Sequence, residues 1–345
     1  MTKLIELKDK VFRFCAEYEM ILRPVYKFVL AIILFVMIDN RLGYMESISK
    51  FWILLVLALI CAILPQNFTI LTGAVLTILH LYTLSVEVAL VAVILYLIVL
   101  LLYFRFAPRD GALFILTPVL HQWRLPFILP IGSGLLREVY SVAAVLCGTI
   151  MYYFLEGIRQ NVSSLTAGMD TEDAATMKLT LAVNMLLSNK EMYLMLTSIL
   201  LASVVVYIVR KLSVEHAWKI AVLSGALIQI SVLVTGYLLL NISGKTLMTI
   251  VGNVVALLLG FVIEFLFMDL DYERVERVQY EDDDYYYFVK AVPKKMVTSS
   301  EKVIKHFGNT SVLNKRVTTV KTTLVTESSK SDIAEELDID RELLE

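Results

Sequence analysis

The polar side chains best placed to do chemistry interrupt an apolar stretch at residues 117–130, which reads TPVLHQWRLPFILP. Between its prolines this stretch carries His121, Gln122 and Arg124. Burying a charge at membrane depth costs about 2.5–3.5 kcal/mol on insertion scales unless the charge pairs or faces water. Polar residues on a broken membrane segment therefore suit the lining of a substrate path.

The wider segment 111–136 is apolar but broken by proline. The prolines are Pro118, Pro126 and Pro130. Each leg has about 10 to 12 residues, so at 1.5 Å rise it covers about half of a 30 Å hydrocarbon core. A hairpin inserted from the cytoplasm would hold the three polar side chains near the midplane, buried in protein or facing a water-filled cavity. A helix pair lying flat at the cytoplasmic surface would instead use Trp123 and Arg124 as headgroup anchors. Both arrangements remain open.

Two carboxylates are further candidates for a membrane cavity. Glu87 opens a predicted span, and Glu264 lies three residues from the end of the last one. His80 ends the span before Glu87, so the short turn between them places both near the outer surface. Side chains this close to a helix end can reach the headgroup region, so solvation at the interface is the alternative to a role in a cavity.

Aromatic residues in the C-terminal tail suggest a surface for a protein partner. They are Tyr285, Tyr286, Tyr287 and Phe288. β-branched and aromatic residues flank an acidic run at 281–284, which predicts two strands, at 275–280 and 285–292, joined by a turn. Alternate side chains of a strand point to opposite faces, so one face packs the small sheet while the other is free to meet a partner.

No sequence motif indicates an enzyme. The chain has no Walker A, GxSxG or HExxH pattern, and its four histidines are widely separated. The three cysteines form no CxxC pair, and adjacent aspartates lack the spaced ligands of a calcium loop, so we predict no cofactor and no metal site. A membrane enzyme that assembles residues from several spans is the remaining possibility. A net charge of -2 argues against nucleic acid as the main partner.

Composition predicts the elements that must position these residues. Hydrophobic residues make up 58% of the 345, and the mean hydropathy is +0.73, with charges concentrated at the two ends. We therefore predict an all-α membrane protein with about eight transmembrane helices, a proline-broken hairpin that is re-entrant or interfacial, and a small cytoplasmic α+β tail. The predicted spans are 24–38, 51–64, 68–84, 87–103, 139–155, 193–209, 218–240 and 247–267.

The predicted organisation has three parts. Residues 1–23 show apolar positions at helical spacing and form an amphipathic helix at the membrane interface. Residues 24–267 form the polytopic domain, whose outer loop 156–191 contains its own helix, either capping the bundle or acting as a substrate lid. Residues 268–345 form the cytoplasmic tail, in which a capping box at 298–301 opens a short helix. The tail sequence also allows a third strand at 317–325 and an acidic helix or a disordered terminus at 332–345.

Basic residues set the expected orientation. The positive-inside rule places both termini in the cytoplasm of a plasma-membrane protein. This result requires segment 111–136 to enter and leave on one side. If the segment crosses once, every later element is inverted and the tail lies outside.

The stretches FRFAPRDGALFILTPVLHQWRLPFILPIGSGLL and VQYEDDDYYYFVKAVPKK are similar to an uncharacterised family of Gram-positive bacterial multi-pass membrane proteins, sometimes labelled transporter permeases. The resemblance covers most of the spans and the start of the tail. It implies membership of this class without assigning a role to any residue.

Two functions are expected on these grounds. The first is a permease-like transport component whose segment 111–136 lines a path. The alternative is a non-enzymatic membrane anchor or scaffold that recruits a cytoplasmic protein through residues 268–345.

Overall fold

The computed structural model describes residues 2–166, 172–242, 244–268, 276–282 and 285–291. The helices are α1 (Thr2–Glu17), α2 (Glu19–Arg41), α3 (Phe51–Ile63), α4 (Gln66–Leu84), α5 (Val86–Phe106), α6 (Gly111–Gln122), α7 (Ile128–Leu136), α8 (Val142–Gln160), α9 (Val162–Thr166), α10 (Glu172–Leu187), α11 (Lys190–Arg210), α12 (Ala217–Leu239) and α13 (Thr246–Phe267). A short 3-10 turn, Val139–Ser141, precedes α8, and two strands, β1 (Glu276–Glu281) and β2 (Tyr286–Ala291), follow α13.

Within the described ranges, seven helices are long and apolar enough to cross a membrane. They are α2, α4, α5, α8, α11, α12 and α13. Helix α3 is apolar but has only 13 residues, and α6 has 12. The prediction of a helical, multi-pass membrane protein is confirmed in this form.

Helix α2 is longer at both ends than the span predicted from hydropathy. It begins at Glu19, so Pro24 lies inside the helix, and it continues to Arg41. The guanidinium of Arg41, in its last turn, binds Glu156 of α8. Nε2 of His80 lies 3.7 Å from Oδ1 of Asp39, which is beyond hydrogen-bonding distance. The ion pair of Arg41 accounts for one charged residue that hydropathy assigns to a loop.

The helices alternate between two ends of the bundle. At one end, which we call the base end, Arg210 near the end of α11 donates to the carbonyl of Leu135 near the end of α7. The opposite end, which we call the cavity end, joins the start of α11 to the start of α13 through Glu191 and Lys245, whose charged atoms are 2.6 Å apart. The long helices run from one of these ends to the other.

Helix α1 is fastened to the base end. Its Lys8 side chain is buried, and Nζ donates to the carbonyl of Phe265 at 2.8 Å and to that of Met268 at 3.5 Å. The last carbonyls of a helix lack intrahelical partners, so a lysine there satisfies them and complements the helix dipole. The ring of Phe12 meets that of Phe267 edge-on. The N-terminal helix and the end of α13 therefore lie at the same end of the bundle.

The core is divided into two clusters that meet at the broken hairpin. One cluster unites buried residues of α2 to α6, α8 and α10, and the other unites residues of α7, α8 and α11 to α13. Helix α6 thus belongs to the first cluster and α7 to the second. The hairpin joins the two halves of the molecule.

Close backbone packing holds both legs of the hairpin. Pro118 has no N–H to donate to the carbonyl of Phe114, and this carbonyl lies against Gly148 of α8, where a Cβ would be only 2.9 Å away. On the other leg, a Cβ on Gly134 would lie 2.7 Å from the Cβ of Val206 and 2.9 Å from the carbonyl of Ser203. Small residues at these positions allow helices to approach closely, as membrane bundles require.

The two strands of the tail form an antiparallel hairpin in which Glu281 pairs with Tyr286 and Glu276 with Ala291. The carboxylate of Asp282 accepts a hydrogen bond from the backbone N–H of Tyr285 at 2.7 Å, which is a side-chain-stabilised turn. These strands overlap the predicted segments 275–280 and 285–292, and the α+β tail as a whole stays a prediction. The helix predicted from the capping box, the third strand and the acidic terminal segment lie outside the described residues.

The two glycines of α7 provide a matched test of this packing. We expect Gly134→Ala to destabilise the protein by about 1–3 kcal/mol, because the added methyl group meets backbone and β-carbon atoms that cannot turn away. Gly132→Ala is the control, since its Cβ would be 3.8 Å from a flexible Ile263 methyl group and alanine favours the helix. Thermal unfolding of the purified variants in detergent measures both. Equal melting temperatures for the two variants would contradict the packing described here.

Candidate membrane cavity at the broken hairpin

The two ends of the hairpin are joined by a buried carboxylate. Asp110, just before α6, is 3% exposed and accepts a hydrogen bond from the hydroxyl of Ser141 at 2.6 Å. Its other oxygen lies 3.4 Å from Nε of Arg137, just after α7. Segment 111–136 therefore enters and leaves at the base end of the bundle.

The exit from the hairpin is tied to α11. Arg210 donates to the carbonyl of Arg137 at 2.9 Å, and the hydroxyl of Tyr207 donates to Glu138 at 2.6 Å. The hydrogen bond from Tyr207, assisted by the positive charges of Lys211 and Arg210, lowers the pKa of Glu138 from its usual value. These contacts fix the position of α7 relative to the second half of the molecule.

At the tip of the hairpin, helix α6 ends and is followed by a residue in the left-handed conformation. Arg124 has a φ of 59°, its N–H donates to the carbonyl of His121 at 3.1 Å, and the N–H of Leu125 donates to that of Leu120 at 2.8 Å. This pair of bonds is a Schellman motif, which ends α6, and Pro126 follows it. The 12 residues of α6 place the tip about 18 Å from the base end at 1.5 Å per residue.

A cavity of about 840 Å³ lies between the tip and the cavity end, and we call it the tip cavity. The hairpin contributes His121, Arg124 and Phe127 to its lining. Other walls come from α8, α10, the start of α11 and the α12–α13 connection, including Tyr152, Tyr153, Glu156, Asn184, Glu191 and Lys245. A volume of this size is within the range of small-molecule sites.

His121 is held rigidly in the floor of the tip cavity. It is 5% exposed, and its Nδ1 lies 2.9 Å from the carbonyl of Thr117. Its ring centroid is 4.7 Å from that of Tyr152 and 6.0 Å from that of Tyr153. Since a carbonyl can only accept, Nδ1 carries the hydrogen, and Nε2 of the neutral ring is an acceptor. Nε2 is buried and has no hydrogen-bond partner among the described residues.

The carboxylates of the tip cavity are already engaged. Glu156 binds the guanidinium of Arg41 and accepts from Arg159 at 3.2 Å and Gln160 at 3.0 Å. Arg41 also lies over the ring of Tyr152, with its guanidinium carbon 4.9 Å from the ring centroid. Glu191 is paired with Lys245. Cation–π stacking and charge pairing together link α2 to α8 beside His121.

The structure brings two of the predicted cavity residues together and leaves three outside. His121 and Arg124 line the tip cavity, whereas Gln122 is exposed and does not. Glu87 accepts a hydrogen bond from Ser85 at the start of α5, and Glu264 lies in the last turn of α13 at the base end. Neither carboxylate lines the tip cavity, because each lies at a helix end away from the hairpin tip.

The aromatic residues of the tail present a mainly exposed face. Tyr285, Tyr286 and Phe288 are 66%, 63% and 79% exposed. Tyr287 is partly buried, and its hydroxyl donates to Asp282 at 2.8 Å. The hydrogen bond to Asp282 raises the pKa of Tyr287. Three of the four aromatic side chains are therefore exposed, on both faces of the hairpin, and the alternation of faces stays a prediction.

Several lining residues were not identified from the sequence. Tyr152 and Glu156 come from α8, and Lys245 comes from the α12–α13 connection, which is far away along the chain. The i, i+4 spacing of Tyr152 and Glu156 places them on one face of α8, which is the one local signal that was available. In the part of the chain that the structure describes, no three His, Cys, Asp or Glu side chains cluster closely enough to hold a metal ion.

No protein-family model, curated protein or solved structure matches this chain. The functional argument therefore starts from the tip cavity.

Removal of the Asp110 carboxylate tests the base of the hairpin. We expect Asp110→Ala to lower the free energy of unfolding by about 1.5–3 kcal/mol, the range for hydrogen bonds to charged groups. Asp110→Asn should retain part of this stability, since an amide oxygen still accepts from Ser141. Glu46→Ala, at an exposed acid in the α2–α3 connection, is the control for loss of charge. Unchanged thermal unfolding of Asp110→Ala in detergent would show that the carboxylate does not fasten the hairpin.

Proposed function

We propose that this chain is a permease-like transport component of the plasma membrane, in which the broken hairpin lines the substrate path. The observation that carries this proposal is the tip cavity, which opens above a hairpin tip bearing His121 and Arg124. Irregular backbone at membrane depth is tolerated where it is buried in protein or lines a water-filled cavity. Broken helices of this kind form substrate sites in secondary transporters.

The proposed topology has eight crossings, with the hairpin as a re-entrant element. The seven long helices supply seven crossings, and α3 is proposed as the eighth. Helix α3 runs antiparallel to α2, and Lys27 of α2 donates to the carbonyl of Leu64 just after the end of α3 at 3.1 Å. Its 13 residues cover about 20 Å, so local thinning of the bilayer would accommodate it. An even number of crossings agrees with the contact of Lys8 with the end of α13. Positive-inside counting then assigns the base end and both termini to the cytoplasm.

Buried polar groups below the tip cavity support a path through the second half of the molecule. Gln229 of α12 and Asn253 of α13 are 0% exposed, and both oxygen and nitrogen of the Gln229 amide lack hydrogen-bond partners among the described residues. Val222 packs on Gly260, so the antiparallel pairing of α12 and α13 places Gln229 and Asn253 at the same level. A buried polar group without a partner costs about 1–3 kcal/mol, so its presence needs a reason. In a second conformation of the protein, water or a transported solute would bind the amides of Gln229 and Asn253, and this would explain why they are buried here.

A cysteine at the hairpin tip tests the proposal. In a chain whose own three cysteines are replaced by serine or alanine, we expect Arg124→Cys to react with a membrane-impermeant maleimide applied from outside only. Asn184→Cys, at the rim of the tip cavity, is the positive control, and Leu97→Cys, on the lipid-facing surface of α5, is the negative control. Failure of position 124 to react from either side would remove the water-filled path.

The exposed aromatic face of the tail hairpin favours a second function, the recruitment of a cytoplasmic protein. Large exposed apolar side chains rimmed by charge mark interaction sites. We expect Phe288→Ser to abolish copurification of such a partner, while Val278→Ser on β1 leaves it largely intact. Recovery of the same proteins after deletion of the chain beyond residue 268 would show that the tail does not recruit them.

A further inference from the structure

The floor of the tip cavity carries a positive charge that no carboxylate of the described residues neutralises. The guanidinium of Arg124 makes one polar side-chain contact, to the sulfur of Met248 at 3.3 Å, and a thioether is a weak acceptor. Both carboxylates of the cavity, Glu156 and Glu191, have cationic partners of their own. Lys190 is a second cation in the lining, at the start of α11, whereas Arg124 lies at the hairpin tip beside His121. Arg124 is therefore placed to attract an anion to the floor of the cavity.

The backbone of Arg124 adopts a conformation that favours glycine, as do those of His216 and Asn241, but of these three residues Arg124 alone lines the tip cavity. A left-handed residue after a helix is usually glycine, because any other L-residue loses roughly 1–2 kcal/mol in this conformation. A strained position that persists at a ligand-sized cavity points to a role for the side chain. The planar guanidinium is suited to this role, since its fork pairs with both oxygens of a carboxylate or phosphate.

His121 supplies a hydrogen-bond acceptor, whereas Arg124 supplies hydrogen-bond donors. Its Nδ1 hydrogen is used by the carbonyl of Thr117, so its Nε2 can only accept. This nitrogen is buried in the cavity lining without a partner in the described residues, and stacking on Tyr152 prevents the ring from turning away. A ligand that satisfies Nε2 must bring an O–H or N–H group.

We propose that the tip cavity binds a hydroxylated organic acid, whose carboxylate or phosphate pairs with Arg124 and whose neighbouring hydroxyl donates to Nε2 of His121. The aromatic side chains of Tyr153, Tyr237 and Phe127 form walls against which its carbon skeleton packs. This inference rests on the proposed transport function and names the class of its substrate. The same chemistry occurs in a soluble hydroxy acid and in the glycerophosphate headgroup of a lipid.

Binding to the full-length protein in lipid nanodiscs tests this inference. The soluble probes are lactate and glycerol 3-phosphate, titrated by calorimetry in nanodiscs of phosphatidylcholine. The lipid probe is phosphatidylglycerol, added to the nanodiscs and counted as bound molecules by native mass spectrometry. We expect one of these probes to bind the wild-type protein. Binding of lactate or glycerol 3-phosphate identifies a soluble acid as the ligand, and binding of phosphatidylglycerol identifies a lipid headgroup.

Four variants assign the binding to the two side chains. Arg124→Gln should weaken it by about tenfold or more, and His121→Phe, which keeps the aromatic stack, by about threefold to tenfold. Arg109→Gln removes the same charge from an exposed site before α6 and should leave binding unchanged. Arg124→Gly relieves the left-handed backbone, so loss of binding in this variant cannot be attributed to misfolding.

Two results would overturn the inference: binding of none of the three probes, or binding that Arg124→Gln leaves unchanged. The labelling experiment at position 124 separates this failure from that of the transport proposal. A reactive cysteine at 124 combined with no binding leaves a water-filled path but excludes the hydroxy acid. An unreactive cysteine removes the path itself.

Discussion

The architecture depends on the closure of the hairpin base by Asp110. Its buried carboxylate holds Ser141 and Arg137, and thereby brings the start of α6 and the start of α8 together at one end of the bundle. A buried charge is tolerated only with such partners. Because both legs of the hairpin are fixed at this point, the segment between them must turn back inside the protein. This turn therefore decides whether each later helix begins at the base end or at the cavity end of the bundle.

The hairpin turns back between two core clusters, which also share α8. Helix α6 packs on α8 through Gly148, and α7 packs on α11 through Gly134, so close backbone contact replaces the hydrophobic effect that lipid cannot supply. The turn ends before it reaches the cavity end. The space above it becomes the tip cavity, which is lined by His121 in the last turn of α6 and by Arg124 in the turn that follows α6.

Local features of the fold were predictable from the sequence, whereas contacts between helices were not. Apolar runs and prolines determine where helices start and break, so most spans, the interruption of 111–136 and the tail strands followed from residue types. Helix α2 extends as far as Arg41, whose guanidinium binds Glu156 of α8, and no local pattern reports that neighbour. The residues of the tip cavity were predictable to the same extent. His121 and Arg124 are recognisable from the sequence as polar residues in an apolar segment, but Tyr152 and Lys245 reach the cavity only through tertiary packing.

The sidedness of the two hairpin ends tests this account most directly. Single cysteines at Arg109 and Glu138, both exposed at the base of the hairpin, would be compared with one at Lys190 at the cavity end, using an impermeant maleimide on intact cells and on inverted vesicles. The account predicts that positions 109 and 138 react only in inverted vesicles and position 190 only in intact cells. Reaction of 109 and 138 from opposite sides would show that segment 111–136 crosses the membrane once, which contradicts the re-entrant hairpin.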